Sequence, residues 1–346
     1  MLPASPLVSV VILNYNGRRF TDTLFESLRR TTYPHVEWIM VDNASSDDSV
    51  SYTREKFPWV RIIETGANLG YTGGNNVGIL QSKGAYVVLL NNDVEADPDW
   101  LTHLVNAAEA DASIAALQPK LQSMINKGFF EYAGASGGFI DPWGYPFLRG
   151  RIFDTIEKDH GQYDDVRDIF WASGAALFLR RSALDEIGLL DEDFFMHFEE
   201  IDLCWRLHWA GYRIQVIPQS RIYHYVSASL PAANLRKLYW NHRNSLVVLI
   251  KNLPRRGFWR TLLFRFVLDG IAAIQSLFRG EPLRMWAVLK AHFWIYAHCI
   301  SLSSKRKFAK NLHKTDETSF AHLIYPRSIV ADYFLKKKRE FHTMGF

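Results

Sequence analysis

Short apolar runs recur four times in the first ninety residues. Runs of this length, rich in β-branched side chains, predict strands that are buried on both faces of a parallel sheet. They cover residues 7–13, 36–41, 60–63 and 85–90. The segments between them predict helices at 19–30 and about 47–56, a helix after a glycine-rich stretch at 66–78, and a helix that begins near Pro98. Strands that alternate with helices predict a mostly parallel α/β sheet with right-handed crossovers.

The pattern changes in the second half of the chain. Residues 128–170 are rich in glycine, proline and aromatic residues and have no clear period, which predicts a long surface excursion of the kind that often carries function. The next elements are predicted as an apolar stretch at 171–180, a short helix at 182–188, a helix at 198–210 that stops at Gly211, and a strand at 213–217. From about residue 232 the pattern is helical, aromatic-rich and basic.

Composition adds few constraints. The chain has 346 residues, of which 48% are hydrophobic and 22% charged, a globular balance that excludes disorder as the main state. This length suits one large α/β domain with additions, or two domains. The two cysteines, Cys204 and Cys299, form no CxxC pair, so we expect a reducing compartment. The first residues lack a basic stretch ahead of an apolar core, so we expect no signal peptide and a cytoplasmic location.

The net charge of +4 is unevenly distributed. Much of the acid lies before residue 205, whereas the C-terminal part is basic, and this predicts a polyanionic partner for that part. Phospholipid and nucleic acid both carry such charge; we expect an anionic membrane surface and no nucleic acid. The basic side chains are Arg255, Arg256, Arg260, Arg265, Arg279, Arg284, Lys305, Arg306, Lys307, Lys310 and those at 336–339.

Two strongly apolar runs, at 261–278 and 285–302, approach the length of a membrane-spanning helix. The first run contains Arg265 and Asp269, which are costly at the centre of a bilayer. Aromatic and basic residues together favour helices that lie in the membrane interface. We therefore expect peripheral association with the inner face of the cytoplasmic membrane, ahead of ordinary soluble packing, with spanning least favoured.

Polar residues follow three of the four predicted strands. They are the segment 14–16 (Asn-Tyr-Asn), Asp42-Asn43 and Asn92-Asp93. In open α/β sheets, ligands bind beyond the carboxyl ends of the strands. Any one of these segments could simply start a turn, but together they predict a binding site at one edge of the sheet.

The segment from Asn68 to Gly78 contains four glycines ahead of a predicted helix. Glycines let the backbone approach a ligand closely, and a helix N-terminus favours an anion or a polar sugar. The segment follows the third strand and lacks a Lys-Ser/Thr ending, so it is neither a dinucleotide fingerprint nor a P-loop. A tight turn explains it equally well.

Asp93 is the best single candidate for a metal ligand, because it follows an apolar strand and Mg²⁺ is commonly held by one or two carboxylates and substrate phosphates. A turn or helix cap is the alternative. His224 follows a strand and a short loop, and an imidazole there would complete the metal site or serve a structural purpose.

Three acids stand at the start of the predicted helix at 198–210, where the helix dipole supports negative charge. Asp202 is spaced for an ion pair with Arg206. Glu199 shares a face with Asp202, so Glu200 is the acid freest to face a cleft and take a proton from a hydroxyl. A solvated acidic first turn is the alternative.

An ordered set of segments resembles family 2 glycosyltransferases, and within them bacterial rhamnosyltransferase-type enzymes, over roughly residues 7–250. The segments are VSVVILNYNG, VDNASSD, NLGYTGGNN, LLNNDV, ASGAALFLRR, FFMHFEEIDLCWR and IYHYVSAS. The resemblance implies a GT-A fold over 1–230, with a Rossmann-like nucleotide-binding half at about 1–125 and an acceptor half at about 126–230. The helical C-terminal region would then cover 231–346.

The resemblance also implies an activity. A sugar would move with inversion, in one direct displacement, from a nucleoside-diphosphate sugar such as dTDP-rhamnose or a UDP-hexose. The acceptor would be a glycan or a lipid-linked glycan in cell-surface polysaccharide synthesis. Mg²⁺ or Mn²⁺ would be the cofactor.

Roles for individual residues follow from the same resemblance. The nucleotide and donor would be bound by Asn14, Tyr15, Asn16, Asp42, Asn68, Gly70, Asn75 and Asn92. The cation would be held by Asp93 and His224. The base would be Glu200, with Glu199 as an alternative. The donor sugar and acceptor would be bordered by Trp171, Ser173, Gly174, Ala175 and Asp202.

The sequence departs from the family pattern at two positions. Asn91 stands where many relatives have a first Asp, so a metal-poor site is an alternative. Glu200 stands where relatives usually have Asp, which keeps Glu199 open as the base. Two other functions stay open: a sugar nucleotidyltransferase, for which Arg18-Arg19 after the first strand is a faint signal, and a non-catalytic glycan- or membrane-binding domain.

Overall fold

A computed structural model describes residues 5–225 and 235–346. The predicted boundary between residues 230 and 231, and residues 226–229 of the IYHYVSAS segment, lie outside the described residues. The division into domains therefore stays a prediction.

Within the described residues the chain forms thirteen strands. They are β1 (Val8–Asn14), β2 (Val36–Asp42), β3 (Arg61–Glu64), β4 (Tyr86–Asn91), β5 (Val94–Ala96), β6 (Ile114–Ser123), β7 (Gly138–Ile140), β8 (Pro146–Leu148), β9 (Arg151–Ile152), β10 (Thr155–Ile156), β11 (Arg167–Asp168), β12 (Ala176–Arg180) and β13 (Arg213–His224).

The same ranges contain eleven α-helices. They are α1 (Arg18–Arg29), α2 (Ser49–Lys56), α3 (Gly70–Gln81), α4 (Trp100–Ala110), α5 (Arg181–Ile187), α6 (Glu199–Trp209), α7 (Leu235–Asn252), α8 (Phe258–Phe278), α9 (Pro282–Ala297), α10 (Cys299–Asn311) and α11 (Ile329–Phe334). Short 3₁₀ helices cover Glu192–Phe194, Glu317–Ser319, Ala321–Leu323 and Phe341–Met344.

Nine of these strands form a central sheet in the order β11-β13-β6-β12-β4-β1-β2-β3, with β5 paired to β13. Strands β1 to β4 are mutually parallel, and β12 runs antiparallel between β4 and β6. Asn14 pairs with Asp42, and Leu13 pairs with Asn91. The carboxyl ends of the three central strands are therefore level, as the predicted mostly parallel sheet requires.

Helices cover both faces of this sheet. Val10 and Ile12 of β1 pack with α1 and α4, whereas Val11 packs with α3 and α5 on the opposite face. Burial on both faces explains why β1 is a continuous apolar run instead of an alternating one. The three-layer α/β architecture, with helices after the sheet, confirms the predicted fold class.

The glycine-rich stretch differs from the prediction, because α3 begins at Gly70 and contains the other glycines. A Cβ on Gly74 would lie 2.3 Å from Leu13, and one on Gly78 would lie 2.3 Å from Val11. These two glycines let α3 pack closely against β1. Their role is helix–sheet packing, and they do not form a loop before the helix.

The predicted surface excursion at 128–170 is wrong. Its aromatic side chains, among them Phe139 and Phe147, are buried, and strands β7 to β10 form a second, antiparallel sheet there. The partners come from the end of the chain: Tyr325 packs against Phe147, and Phe341 packs against Phe139. Because these partners are distant in sequence, the local pattern shows no period.

Four strands of the central sheet also differ from the prediction. Strands β5, β6 and β11 were not predicted, and β13 continues to His224 with a register shift between Ile217 and Arg221. The shift, at an irregularity within the strand, still lets β13 pair with β5. It carries His224 to the edge of the sheet where β4 and β5 meet.

The two apolar C-terminal runs fall on α8, α9 and the start of α10, which α9 meets at a break at His298. Of the helices described, α8 is the one whose length and composition would allow it to cross a membrane, with a mean hydropathy of 1.5 over an 18-residue window. Only 22% of that window is buried in the protein.

Candidate active site

The carboxyl ends of β1, β2 and β4 are joined by side-chain amides. Asn14 donates a hydrogen bond from Nδ2 to Asp42 Oδ1 at 3.0 Å and accepts one from Asn92 Nδ2 at 2.9 Å. Asn14 and Asp42 are almost fully buried. Three residues predicted on the nucleotide side therefore form one network, which fixes the spacing of the strand ends.

The loop after β1 is more open. Tyr15 is half exposed. Asn16 has a φ of +53° and accepts a hydrogen bond from the Ser46 backbone N–H at 2.7 Å, while its own N–H donates to Ser45 Oγ at 2.9 Å. These bonds hold Asn16 in the left-handed region, which Asn tolerates better than most residues. Tyr15 presents an aromatic ring beside the buried Asn14–Asp42 pair.

Asn43, which the sequence interpretation named with Asp42 but gave no role of its own, fixes the start of α3. Its Nδ2 donates to Asn68 Oδ1 at 3.1 Å and to Gly70 O at 3.0 Å, and its Oδ1 accepts from the Leu69 N–H at 2.9 Å. Gly70 has a φ of +72°, and a Cβ there would lie 2.5 Å from the carbonyl oxygen of Phe195. The first turn of α3 is therefore packed against the loop that leads into α6.

Asn75 and Tyr71 face the interior on this turn. Asn75 donates to the Tyr71 carbonyl at 2.9 Å, and its buried Oδ1 has no hydrogen-bond partner among the described residues. The Tyr71 hydroxyl donates to Gly174 O at 2.6 Å. Burial, followed by the charges of Glu199 and Glu200, raises the pKa of Tyr71 well above its ordinary value. Tyr71 therefore lies between the acids of α6 and the loop before β12.

Asp93 and His224 meet at the end of β4, as predicted. His224 Nε2 lies 3.0 Å from Asp93 Oδ1 and 3.2 Å from Asn91 Nδ2. On the other side of the ring, His224 Nδ1 lies 3.2 Å from Glu131 Oε1. Burial lowers the pKa of His224, but the carboxylates of Asp93 and Glu131 outweigh it and raise the pKa to about 10.

Glu131 is a further residue that sequence reasoning missed. It is fully buried, lies in the segment that was predicted as a surface excursion, and is 93 positions from His224 in the chain. Its contact orients the imidazole so that Nε2 faces Asp93. A carboxylate behind a metal-binding histidine commonly fixes the ring in this way.

The Asp93–His224 pair fits a cation that is held partly by substrate. Across residues 5–225 and 235–346, no three His, Cys, Asp or Glu side chains are grouped so that they could hold a metal ion. Adjacent ligands of an octahedral Mg²⁺ stand about 3 Å apart, since each bond is about 2.1 Å, and Asp93 Oδ1 and His224 Nε2 are 3.0 Å apart. Phosphate oxygens and water would supply the remaining ligands.

Glu199 and Glu200 begin α6, and each has a buried Oε2 without a hydrogen-bond partner among the described residues. Glu199 is only 4% exposed, whereas Glu200 is partly exposed. Burial, with the neighbouring Glu200, raises the pKa of Glu199 well above its ordinary value. Burial raises the pKa of Glu200 to about 7, against the effect of nearby backbone N–H groups. Glu200, the more exposed of the two, is thus the acid of the pair that can reach a ligand.

Asp202 does not join this pair. Its carboxylate is fully buried, 3.0 Å from Arg206 Nε and 2.9 Å from Lys251 Nζ, and it accepts from Asn252 Nδ2 at 2.8 Å. The predicted ion pair with Arg206 is confirmed. Because the carboxylate is enclosed by three donors beneath α6, the structure gives no support to the predicted place of Asp202 beside an acceptor.

The loop before β12 connects the two halves of the candidate site. Ala175 O accepts from the Asn91 N–H at 3.0 Å, and Gly174 O accepts from Tyr71. Ser173 is held by its N–H, which donates to Gln118 Oε1 at 2.7 Å. The end of β4 and Tyr71, on which the charges of the α6 acids act, therefore meet at one loop at the carboxyl edge of the sheet.

Trp171 is buried behind this loop. Its Nε1 donates to Phe139 O at 2.9 Å, and its ring covers the position where Gly138 lacks a side chain. It is 5% exposed. Trp171 thus joins the small sheet to the loop, and it contributes to the site by supporting that loop.

Comparisons with known proteins agree with this geometry. N-acetylglucosaminyl-diphospho-decaprenol L-rhamnosyltransferase of Mycobacterium tuberculosis is 26% identical over 295 residues, which are 78% of this chain and 92% of that protein. Staphylococcus aureus TarS 1–349 in complex with UDP superposes with a TM-score of 0.54 at 16% identity over 93% of each chain. GalNAc-T7 with UDP, GalNAc and Mn²⁺ superposes with a TM-score of 0.56 at 16% identity, over 72% of this chain and 48% of that one. These two structures show the shared GT-A fold.

A family model covers most of the central sheet, the glycine-rich helix and the loop before β12. The model for glycosyl transferase family 2 matches residues 9–188, slightly more than half of the chain. Matches of this extent are specific to the family, and the chain belongs to glycosyl transferase family 2.

Proposed function

We propose that this glycosyltransferase moves a sugar, with inversion, from a nucleoside-diphosphate sugar to a lipid-linked glycan in cell-surface polysaccharide synthesis. One set of contacts with the loop at 173–175 carries the proposal. Asn91, beside the Asp93–His224 pair, donates to Ala175 O. Tyr71, whose pKa is raised in part by the charge of Glu200, donates to Gly174 O. The M. tuberculosis relative is named for a rhamnosyl donor and a diphospho-decaprenol acceptor, and TarS was crystallised with UDP. The family disfavours the two alternatives, a sugar nucleotidyltransferase and a non-catalytic binding domain.

The donor would lie over the carboxyl ends of β1, β2 and β4. We assign the base and ribose to the open side of the buried Asn14–Asp42 pair, with the half-exposed Tyr15 ring against the base. The first turn of α3, which Asn43 holds in place, would border the sugar through Asn75. The backbone N–H groups of a helix start favour this polar, anionic ligand.

Asp93 and His224 would hold Mg²⁺ or Mn²⁺ against the diphosphate, as their 3.0 Å separation suits two adjacent ligands. A bound cation would offset the negative charge that the leaving diphosphate gains. Glu131 would keep the second imidazole nitrogen protonated and the ring oriented. A relative by fold, GalNAc-T7, contains Mn²⁺ together with UDP in its crystal structure.

Glu200 would act as the base. Its ionised carboxylate takes the proton of the acceptor hydroxyl as that oxygen bonds to the anomeric carbon and the bond from this carbon to the diphosphate breaks. The displacement is direct, so the configuration at the carbon inverts. Glu199 is buried beside it, and burial and the neighbouring Glu200 raise its pKa and favour its neutral form.

Asp93→Asn and Glu200→Gln variants test the proposal. Thermal-shift screening of dTDP- and UDP-sugars with Mn²⁺ would first identify a donor, since a ligand raises stability with its affinity. We expect release of nucleoside diphosphate, inhibition by EDTA, and loss of Mn²⁺-dependent donor stabilisation in Asp93→Asn. Release of pyrophosphate, or full turnover in both variants, would contradict the proposed site. Asp48→Asn, at an exposed carboxylate on the α2 cap, is the matched control.

A further inference from the structure

Helix α8 buries charged side chains and exposes apolar ones, whereas a surface helix of a soluble protein does the reverse. Two of its three charged residues, Arg265 and Asp269, face the protein interior and are nearly fully buried, and the third, Arg260, lies in its first turn. Its outer face is apolar: Trp259, Leu263, Val267, Ile271, Ile274 and Phe278, each more than half exposed. A surface helix in water normally shows the opposite arrangement.

The inward charges are satisfied within the protein. Asp269 lies 3.2 Å from Arg265 Nε, 3.1 Å from His242 Nδ1 and 3.2 Å from His292 Nε2. Arg265 also donates to Ser245 Oγ at 2.8 Å. This cluster ties α8 to α7 and α9, and it leaves Arg260, in the first turn, as the exposed charged residue of α8.

The apolar face continues beyond α8. Helix α9 packs against α8, and it and the start of α10 expose a second set of apolar side chains: Leu283, Trp286, Leu289, Phe293, Tyr296 and Ile300. Soluble monomers seldom expose so large a continuous apolar surface unless it binds something. We name these two sets of side chains together the outer face.

Basic residues surround the outer face. Arg255, Arg256 and Arg260 are exposed at the start of α8, Arg279 lies at its end, and Lys307 lies on α10. Apart from the buried Asp269, the acid of this stretch is Glu281, which is paired with Arg284 at 3.2 Å. Exposed apolar side chains with basic residues near the ends of the helices, and with tryptophans on both α8 and α9, match the chemistry of an anionic bilayer surface.

We propose that the outer face inserts its apolar side chains into an anionic lipid bilayer, with α8 lying flat in the interface. Contacts with the rest of the protein run along α8 from Phe258, whose ring lies beneath Arg306, to the buried Ala273. A spanning α8 would have to draw these partners into the bilayer. The flat orientation keeps Arg265 and Asp269 within the protein and places the basic residues at the headgroups.

One turn of α7 connects this face with the candidate active site. His242 and Ser245 contact the α8 cluster, while Asn244 between them donates to the carbonyls of Phe194, Met196 and His197, in the loop that leads to Glu199. If the proposed function holds, a lipid-linked acceptor would reach Glu200 from the membrane across this single helix. The docking itself does not depend on that function.

Flotation of the full chain with vesicles tests the docking. We expect co-flotation with vesicles of phosphatidylcholine and phosphatidylglycerol, weaker binding to pure phosphatidylcholine, and weakening by salt. Leu263→Glu/Ile271→Glu, two changes on the outer face, should reduce partition by about tenfold or more. Leu80→Glu is the control, because Leu80 is a 72% exposed apolar residue on α3.

Failure of the docking and failure of the function are separable. A chain that stays at the bottom of the gradient with anionic vesicles at low salt, or a double variant that floats like the wild type, would overturn the docking. A wild type that is dimeric without floating, with a monomeric double variant, would instead make the outer face a contact between copies. A chain that floats but releases no nucleoside diphosphate from any donor would leave the docking intact and remove the proposed function.

Discussion

The two acids at the start of α6 are expected to behave differently, although they are adjacent and chemically identical. Burial raises the pKa of Glu200 to about 7 from an ordinary value of 4.5. About one-tenth of Glu200 is then ionised at pH 6 and about nine-tenths at pH 8. Because a base acts only in its ionised form, kcat/KM should rise about tenfold across this interval. An unperturbed glutamate would give a flat profile there.

Substitution should separate the pair. Glu200→Gln removes the base and should lower kcat by about 10²- to 10⁴-fold. Burial and the neighbouring Glu200 raise the pKa of Glu199 well above 4.5 and so favour its neutral form. Glu199→Gln mimics that neutral form at the same size, and kcat should change by less than about threefold.

The assay is release of nucleoside diphosphate, measured from pH 5.5 to 8.5 at constant ionic strength and saturating Mn²⁺. Thermal unfolding of both variants checks that each is folded. A flat wild-type profile between pH 6 and pH 8 would contradict the raised pKa. Loss of turnover in Glu199→Gln, with turnover kept in Glu200→Gln, would make Glu199 the base instead of Glu200.

Two further predictions concern packing. Gly70→Ala should lower the free energy of unfolding by about 3 kcal/mol, because it adds a strained φ to a collision with the Phe195 carbonyl; Gly66→Ala, with the same φ of +72° and open space around it, should cost only about 1–2 kcal/mol. Equal unfolding midpoints in denaturant for the two variants would refute this packing. Cys299 is exposed, whereas Cys204 is buried and its pKa is raised to about 12, so a thiol reagent should modify one cysteine in the native chain and two after unfolding. Prompt modification of both in the native chain would be the contrary result.

The central sheet could be predicted because its signals are local. The apolar run of β1 and the polar residues after it are adjacent in sequence, and parallel strands place their carboxyl ends on one edge. Asn14, Asp42 and Asn92 consequently meet as expected. The Asp202–Arg206 pair was predictable for the same reason, since both residues lie on one helix.

The rest depends on contacts between distant residues. Glu131 acquires its significance from His224, and Lys251 encloses Asp202 from another helix. Neither pairing leaves a trace in a local window. The glycines of α3 carried an ambiguous signal, because a loop around a ligand and a helix pressed against a strand both exclude Cβ atoms. A Cβ on Gly74 would lie 2.3 Å from Leu13, which identifies a helix packed against a strand.

The packing of residues 320–346 under the small sheet sets an order of events during synthesis. Tyr325 donates its N–H to Ile140 O at 2.8 Å, Ile329 donates to Asp141, and Phe341 fills the space beside Phe139. The strands at 138–156 are made long before these partners. On the ribosome the small sheet therefore stays incompletely packed, while the nucleotide-binding half can already fold. The small sheet would thus finish folding only when the end of the chain has been made. A fusion or truncation near residue 340 would therefore disturb a region two hundred residues upstream.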